Sequence, residues 1–422
     1  MKMKSEMKPR VLYVTHRVPW PPDRGDRIRT WNILKFLSSR ADVDLACLAD
    51  EPAPEETIAS LRRVTRRLAI VPHQGWTRYV NGLKSMICGG TITEGMFHSP
   101  QLKAQLQNWA QSQGWDAALA SSSGIAAMTA PSVIGDVRRR WIDLIDVDSE
   151  KWYEYSRTAR FPKSILYRTE GRRLRAVESG LARDCEKLLV VSEAEVQLFR
   201  QFCATDRIVA VANGVDTDYF SRRPSETECH QTCVFVGVMN YLPNVDAVCW
   251  FVSEVWPRVR DRYPSAKFQI VGKSPSAEVL ALGKTAGVEV IGSVPDVRPW
   301  LNRATCAVIP LRIARGIQNK VLEAMACGCP VISSSAPLRG IAAEPGLHLL
   351  RADSADEWVN EISRVFQDPC LQQEIGFAAE TWVRQHHCWD ACLETLNDLT
   401  GCPEEKPVGR NHESRIQAEV GQ

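Results

Sequence analysis

Two groups of residues in this sequence have the types and spacing to do chemistry. The first runs from Val308 to Gly328. An apolar stretch ends at Pro310, a loop follows with Arg312, Arg315, Gly316 and Ile317, and a helix is expected to begin near Asn319. Ligands of open α/β sheets bind beyond the carboxyl ends of strands. Free N–H groups and the dipole at a helix start favour an anion. Arg312 and Lys320 add formal positive charge, so a phosphate or diphosphate fits. Glu323 lies one turn further on, where its carboxylate can accept hydrogen bonds from two hydroxyls of a ribose. A buried helix with two solvated bases and a surface glutamate accounts for the same pattern.

The second group is Asp146-Val147-Asp148. An Asp-x-Asp after a strand offers hard oxygen ligands to a divalent cation on a diphosphate. Such tripeptides are common, and Asp216-Thr217-Asp218 is another. No metal is therefore expected there. Asp146 or Asp148 would instead orient an acceptor hydroxyl or stabilise developing positive charge. The alternative is helix N-capping by Asp148 or Ser149, with Glu150 in the first turn. His16, after the first strand, is a further candidate catalytic group because histidine titrates near neutrality. Ser121-Ser122-Ser123-Gly124 follows another strand end and reads equally as substrate contact or as a polar loop. Cys229-His230 with Cys233 lacks a second Cys/His pair at zinc spacing, so no metal site is expected.

Two alternating runs of strands and helices would position these groups. Val11–Val14, a loop through Pro19–Asp26, helical spacing from Ile28 to Leu37 and a strand at Val43–Leu48 make a βαβ unit, which predicts a parallel sheet. Strands are expected at 68–71, 117–120, 141–146, 187–192 and 208–211, with a long basic helix over 151–184. Ala117–Gly135, the longest uncharged stretch, carries five Ser/Thr after Ala120 and reads as a buried loop and helix. After a polar linker at 221–231 the alternation restarts, with strands at 233–237, 267–272, 288–292, 306–310 and 330–333. The fold class is therefore α/β: two doubly wound Rossmann-like domains, residues 1–220 and 232–370, facing each other. A closing helix is expected over 371–400 and a disordered tail over 401–422.

Composition narrows the classes of function. The 422 residues carry 52 Lys/Arg and 50 Asp/Glu, a net charge of +2 that argues against a dedicated nucleic-acid binder. No charged start followed by an apolar core and a cleavage site is visible, so a cytoplasmic protein is expected. Its fourteen cysteines then read as free thiols. No G-x-G-x-x-G follows the first strand, which argues against a dinucleotide dehydrogenase.

Asn319-Lys320-Val321-Leu322-Glu323-Ala324-Met325-Ala326-Cys327-Gly328-Cys329-Pro330-Val331-Ile332 resembles the nucleotide-binding signature of family 4 glycosyltransferases, retaining enzymes of the GT-B fold. The resemblance extends through Val211–Asp216, Phe235–Gly237 and Ile291–Asp296. Residues 21–29 and Asp146–Trp152 resemble the sugar transferases of PEP-CTERM/exosortase and exopolysaccharide clusters. The resemblance implies a metal-independent transfer, without a cofactor, from a nucleotide sugar to a lipid-linked saccharide. It implies that Glu323 holds the ribose, that Gly25 brings its amide to the diphosphate, that Gly316 and Ile317 offer amides to the sugar, and that the backbone at Val294 meets the base. Two positions depart from the family pattern. Arg315 stands where a second glutamate is usual, and the usual Arg and Lys after Gly237 are missing, so Arg312 and Lys320 are expected to neutralise the diphosphate. A non-hydrolysing nucleotide-sugar epimerase and a nucleotide-sugar-binding assembly protein share these features.

The net charge is unevenly placed. Residues 1–220 hold 32 Lys/Arg and 26 Asp/Glu, and the remainder hold 20 and 24. The bases of the first half cluster at 62–67, 138–140 and 168–175. Such clusters bind anionic lipid head groups or simply solvate a surface. The first reading predicts a peripheral protein on the inner face of the cytoplasmic membrane.

Overall fold

The computed structural model describes residues 8–223, 230–314 and 317–401. Seven parallel strands form the first sheet: β1 (Arg10–Thr15), β2 (Asp42–Ala49), β3 (Arg67–Pro72), β4 (Ala117–Ser121), β5 (Arg139–Ile145), β6 (Lys187–Val190) and β7 (Ile208–Ala210). Their order is β3-β2-β1-β4-β5-β6-β7. The uninterrupted apolar run of β1 follows from helices on both faces. Val11 and Tyr13 pack in one layer with Ile33 and Leu37, while Leu12 and Val14 pack in the other with Leu102 and Leu106.

The second sheet is also parallel: β8 (Thr232–Val236), β9 (Lys267–Val271), β10 (Val288–Gly292), β11 (Cys306–Ile309), β12 (Val331–Ser333) and β13 (Leu350–Arg351), in the order β10-β9-β8-β11-β12-β13. In each sheet the strand order reverses beside the first strand, between β1 and β4 and between β8 and β11. Those are the crevices where doubly wound sheets bind ligands. The helices that matter for the site are α1 (Gly25–Arg40), α2 (Thr77–Ile87), α3 (Ile92–Phe97), α4 (Asp148–Thr158), α5 (Lys163–Asp184), α6 (Leu242–Trp250), α7 (Asn319–Ala326) and α8 (Pro369–His386).

Three sequence expectations change. The basic helix over 151–184 is two helices, α4 and α5, because Pro162 supplies no N–H and disfavours helical geometry at Phe161. The closing helix over 371–400 ends at His386. The chain then crosses back: the Val215 amide donates to the His387 carbonyl at 2.7 Å, and Leu393, Leu396 and Leu399 are buried in the core of the first domain. A short strand, β13, was not anticipated; two residues carry no readable period. The expected tail beyond Gly401, most of the linker, and Cys229 lie outside the described residues. Among the described residues the cysteines are free thiols, and no group of three or more His, Cys, Asp or Glu is placed to hold a metal.

Several of the clustered bases serve the fold. Arg66 and Arg67 both reach the buried Asp44, at 2.7 and 2.6 Å. Arg140 donates to the Ala126 carbonyl at 3.0 Å, Arg173 donates to the carbonyls of Met86 and Gly90, and Arg175 pairs with Glu150.

Candidate active site

The carboxyl ends of the two sheets enclose a cleft of about 1010 Å³. On the second domain its floor is made of glycine. Gly272, at φ +149°, follows β9, and a Cβ there would stand 1.6 Å from the Gly237 carbonyl oxygen after β8. Only glycine allows that approach. The start of α7 forms the adjoining wall. Lys320 lies over the Phe235 ring at 4.7 Å and bonds to the Asn244 side-chain oxygen, while Asn244 donates to the Val238 carbonyl at 2.9 Å. Burial pushes the Glu323 carboxyl up to about 7, against the pull of Lys320, and pushes the Lys320 ammonium down to about 8, against the pull of Glu323. An anion and several hydroxyls arriving in this cleft would restore the solvation both groups have lost. Val294, in the loop after β10, and Ile317 also line it.

The first domain supplies the facing wall with Pro22, Asp23, Arg24, Gly25 and Ile28. Gly25 opens α1, so its amide is among those without an intrahelical partner. A Cβ at Gly25 would meet nothing within 4 Å. No protein contact within that distance demands glycine there. Asp23 and Lys273 form an ion pair across the cleft at 3.5 Å.

A second cavity, of about 450 Å³, shares Gly25, Asn213 and Ile317 with the first and extends into the first domain. His16 is buried there; its Nδ1 lies 3.1 Å from the Ser121 hydroxyl and its Nε2 3.6 Å from Asp26. Burial would raise the Asp26 carboxyl, but His16 and Arg17 hold it far below the usual range. Lys151 lies between Asp146 and Asp148, at 2.9 and 3.0 Å. Burial opposes its charge, yet the two aspartates keep it ionised well above the usual lysine range. Asp148 also accepts from the Ser123 hydroxyl at 2.9 Å. The backbone is strained at the same place. Ser122, which follows β4, and Ile145, which ends β5, have φ of 81° and 71°, and both line the cavity. Such conformations cost of order 1–3 kcal/mol each and cluster at functional sites. The buried Ser122 hydroxyl has no hydrogen-bond partner among the described residues.

Buried ion pairs fix this wall. Arg29, fully buried on α1, makes two 2.8 Å bonds to the carboxylate of Asp143 and donates to the side chain of Asn213 at 2.9 Å. The amide of Ser149 donates to buried Glu178 at 3.1 Å, and the amide of Val147 to Glu195 at 2.8 Å. The start of α4 is therefore held by glutamates from other helices. Neither Asp148 nor Ser149 caps it; Val147 is the N-cap residue, and the capping expectation is replaced.

The expected site residues thus divide. Gly25, Val294, Ile317, Lys320 and Glu323 line the larger cleft, and His16, Asp146 and Asp148 line the smaller one. Arg312 does not line either: it is exposed and its guanidinium is paired with Asp246 of α6, which overrides the expected diphosphate contact. Gly316 and Arg315 lie outside the described residues. Sequence reasoning missed three bases, Arg24, Lys273 and Lys151. A glycine-lysine step directly after the β9 strand was the available signal for Lys273. Nothing local marked Lys151 as the partner of both aspartates.

The site and the two sheets define a class of fold: two facing Rossmann-like domains with a ligand cleft between their strand ends. Residues 230–368 match the family model described as "Glycosyl transferases group 1". An uncharacterized glycosyltransferase of Haemophilus influenzae is 27% identical over 187 residues, which is 43% of this chain and 49% of that protein; the chain thus spans about half of that relative's length. An uncharacterized 44.6 kDa protein in the cps region of Klebsiella pneumoniae is 20% identical over 391 residues, 90% of this chain and 96% of that protein. Among solved structures, Anabaena HepE in complex with UDP is similar at a TM-score of 0.65 and 15% identity, covering 93% of this chain and 100% of that one. Sucrose-phosphate synthase of Thermosynechococcus elongatus matches at 0.65 and 14%, covering 93% and 98%. The fold is GT-B, and the second domain carries the group 1 glycosyltransferase match.

Proposed function

We propose that the chain is a retaining glycosyltransferase. It moves a sugar from a nucleoside-diphosphate sugar to a lipid-linked or growing saccharide in exopolysaccharide assembly. The observation that carries this reading is the adjacency of the two cavities, which share Gly25, Asn213 and Ile317 in their linings. A donor in the larger cleft would present its sugar to an acceptor hydroxyl in the smaller one. The similar Anabaena protein's complex with UDP and the cps-region relative support the donor class and the polymer context.

In this reading Glu323 accepts hydrogen bonds from the ribose hydroxyls, and the backbone at Val294 meets the base. The diphosphate lies against the Gly25 amide, Lys320 and Lys273. As the anomeric carbon leaves the β-phosphate oxygen and bonds to the acceptor oxygen, these groups hold the growing negative charge on the leaving diphosphate. The acceptor proton departs with it. Ile317 contacts the sugar. Asp146, Asp148 and His16 surround the acceptor hydroxyl and the positive charge that develops on the sugar, with Lys151 fixing both aspartates. The same reading includes reversible docking of the first domain on the anionic inner face of the cytoplasmic membrane.

The test is a melting-midpoint screen with nucleoside diphosphates and their sugars, because a ligand that binds only the folded state raises the midpoint. It is followed by product analysis with the best donor, with and without saccharide acceptors. Stabilisation by at least one nucleoside diphosphate and an acceptor-dependent product of unchanged anomeric configuration are expected. Conversion of the donor alone would make the chain an epimerase, and stabilisation by none of the panel would end the reading.

A further inference from the structure

One large surface feature of the first domain has no part in either cavity. Trp76, Tyr79, Leu83 and Ile87, on and just before α2, are 73%, 56%, 55% and 77% exposed. Their spacing of three, four and four residues puts them on one stripe of a helix. Phe161 and Ile165, at the head of α5, are likewise exposed. α5 is fastened to the end of α2, because Arg173 donates to the carbonyls of Met86 and Gly90. Soluble monomers rarely leave such contiguous apolar groups facing water.

Along these two stretches of chain the charge has one sign. Residues 68–93 contain Arg78 and Lys84 and no Asp or Glu, and residues 155–169 contain four Lys/Arg and no acid. Glu170, the acid that ends the second run, is buried and accepts from the amides of Ile92 and Thr93 at 2.7 and 2.9 Å, so it does not offset the surface. No helix among the described residues is long and apolar enough to cross a membrane. A short amphipathic helix with aromatic and aliphatic groups on one side and bases beside them is suited to lie in the plane of a bilayer surface.

We infer that α2 and the head of α5 form a docking face for an anionic lipid bilayer. Trp76, Tyr79, Leu83 and Ile87 enter the head-group boundary, and bases such as Arg78, Arg168 and Arg172 meet the lipid phosphates. The surface stands independently of the transfer reaction, and of the charge clusters it keeps only the exposed bases Arg168 and Arg172, since Arg66, Arg67, Arg140 and Arg175 are engaged within the fold. Only its consequence rests on the proposed function: α3, which directly follows α2, lends Thr93 and Phe97 to the smaller cavity. Docking would then bring that cavity near a lipid-linked acceptor.

The experiment is sedimentation of the full chain with vesicles of phosphatidylcholine, with and without phosphatidylglycerol. Binding to the anionic vesicles that weakens with salt is expected. Trp76→Ser/Leu83→Ser/Ile87→Ser should lower the vesicle partition coefficient at least about tenfold, and so should Arg168→Glu/Arg172→Glu. Both variants should keep the wild-type melting midpoint and its shift with nucleoside diphosphate, which separates lost docking from lost folding or donor binding. Equal binding of wild type and the serine variant would overturn the inference. So would a concentration-dependent dimer, abolished by the serine variant, from a chain that ignores vesicles; the stripe would then belong to a second copy. Transfer to a water-soluble acceptor is measured in parallel. Vesicle binding without transfer would sink the proposed function and leave the docking face standing.

Discussion

The two walls of the cleft solve opposite problems. On the second domain the wall is glycine backbone, a short helix start and a few groups whose ionisation is held towards neutral: Glu323 is raised to about 7 and Lys320 lowered to about 8. On the first domain the wall is crowded with charges that neutralise one another, Arg29 with Asp143 and Lys151 with Asp146 and Asp148, on a backbone strained at Ser122 and Ile145. A wall of unsettled groups gains from a charged, hydroxylated ligand. A wall of settled pairs is preorganised and needs no rearrangement when chemistry occurs. The difference suits a binding side and a reacting side, and substitutions can break it.

The largest effect is expected at Arg29. Removing one partner of a buried pair leaves an uncompensated charge, at a cost of about 3–5 kcal/mol. Arg29→Ala should lose that much stability in urea denaturation, and Arg29→Lys should not restore it, because a point charge cannot reproduce the fork onto Asp143 and the bond to Asn213. A loss under about 1 kcal/mol would mean that the first wall is not pinned as described.

Glu323 comes next and addresses the opposite wall. Losing hydrogen bonds to a charged acceptor costs about 1.5–3 kcal/mol, or roughly 10- to 150-fold in affinity. Glu323→Ala should lose that much affinity for nucleoside diphosphate in calorimetry. Wild-type affinity should rise as pH climbs through about 7, where Glu323 ionises, and fall beyond about 8, where Lys320 discharges. Glu323→Gln should abolish the rising limb and keep the falling one. An unchanged profile would remove Glu323 from the binding wall.

Lys151→Met distinguishes the walls by kinetics. Asp146 and Asp148 lose the ammonium that holds them both, and misplacing a reacting group by about an ångström costs about a hundredfold. Turnover should fall by that order while the affinity for nucleoside diphosphate stays within about twofold of wild type. Equal losses in both would assign Lys151 to donor binding instead.

The fold was legible because both sheets are doubly buried, so their strands read as apolar runs with helical spacing between them. Val11–Val14 and Lys267–Val271 are of that kind. The binding wall was legible in part for the same reason: Lys320 and Glu323 sit one turn apart on α7 directly after a strand and loop. Arg312 misled because a base in the right loop says nothing about a carboxylate 66 residues away, and Asp246 takes it. The reacting wall was least legible. Its defining contacts join residues distant in sequence, such as Arg29 to Asp143 or Ser149 to Glu178, and no periodicity encodes a positive φ at Ile145. The α4–α5 break was visible as Pro162, but the basic residues on both sides of it read as one continuous helix.

The smallest expected effect tests whether the walls communicate. Asp23 and Lys273 pair across the cleft with both side chains nearly half exposed, so the pair itself is worth about 0–1 kcal/mol. Neither Asp23→Ala nor Lys273→Ala should move the melting midpoint of the ligand-free chain by more than a few degrees. Their effects on the nucleoside diphosphate should differ in sign. Lys273→Ala removes a base from the binding wall and should weaken affinity a few-fold, with a shallower salt dependence. Asp23→Ala removes a competing carboxylate beside the diphosphate position and frees Lys273, so affinity should rise or hold. If both substitutions weaken binding equally, the pair acts as a strut that sets the spacing of the domains. The first wall would then help to build the donor site, and the division between binding side and reacting side would have to be redrawn through Asp23.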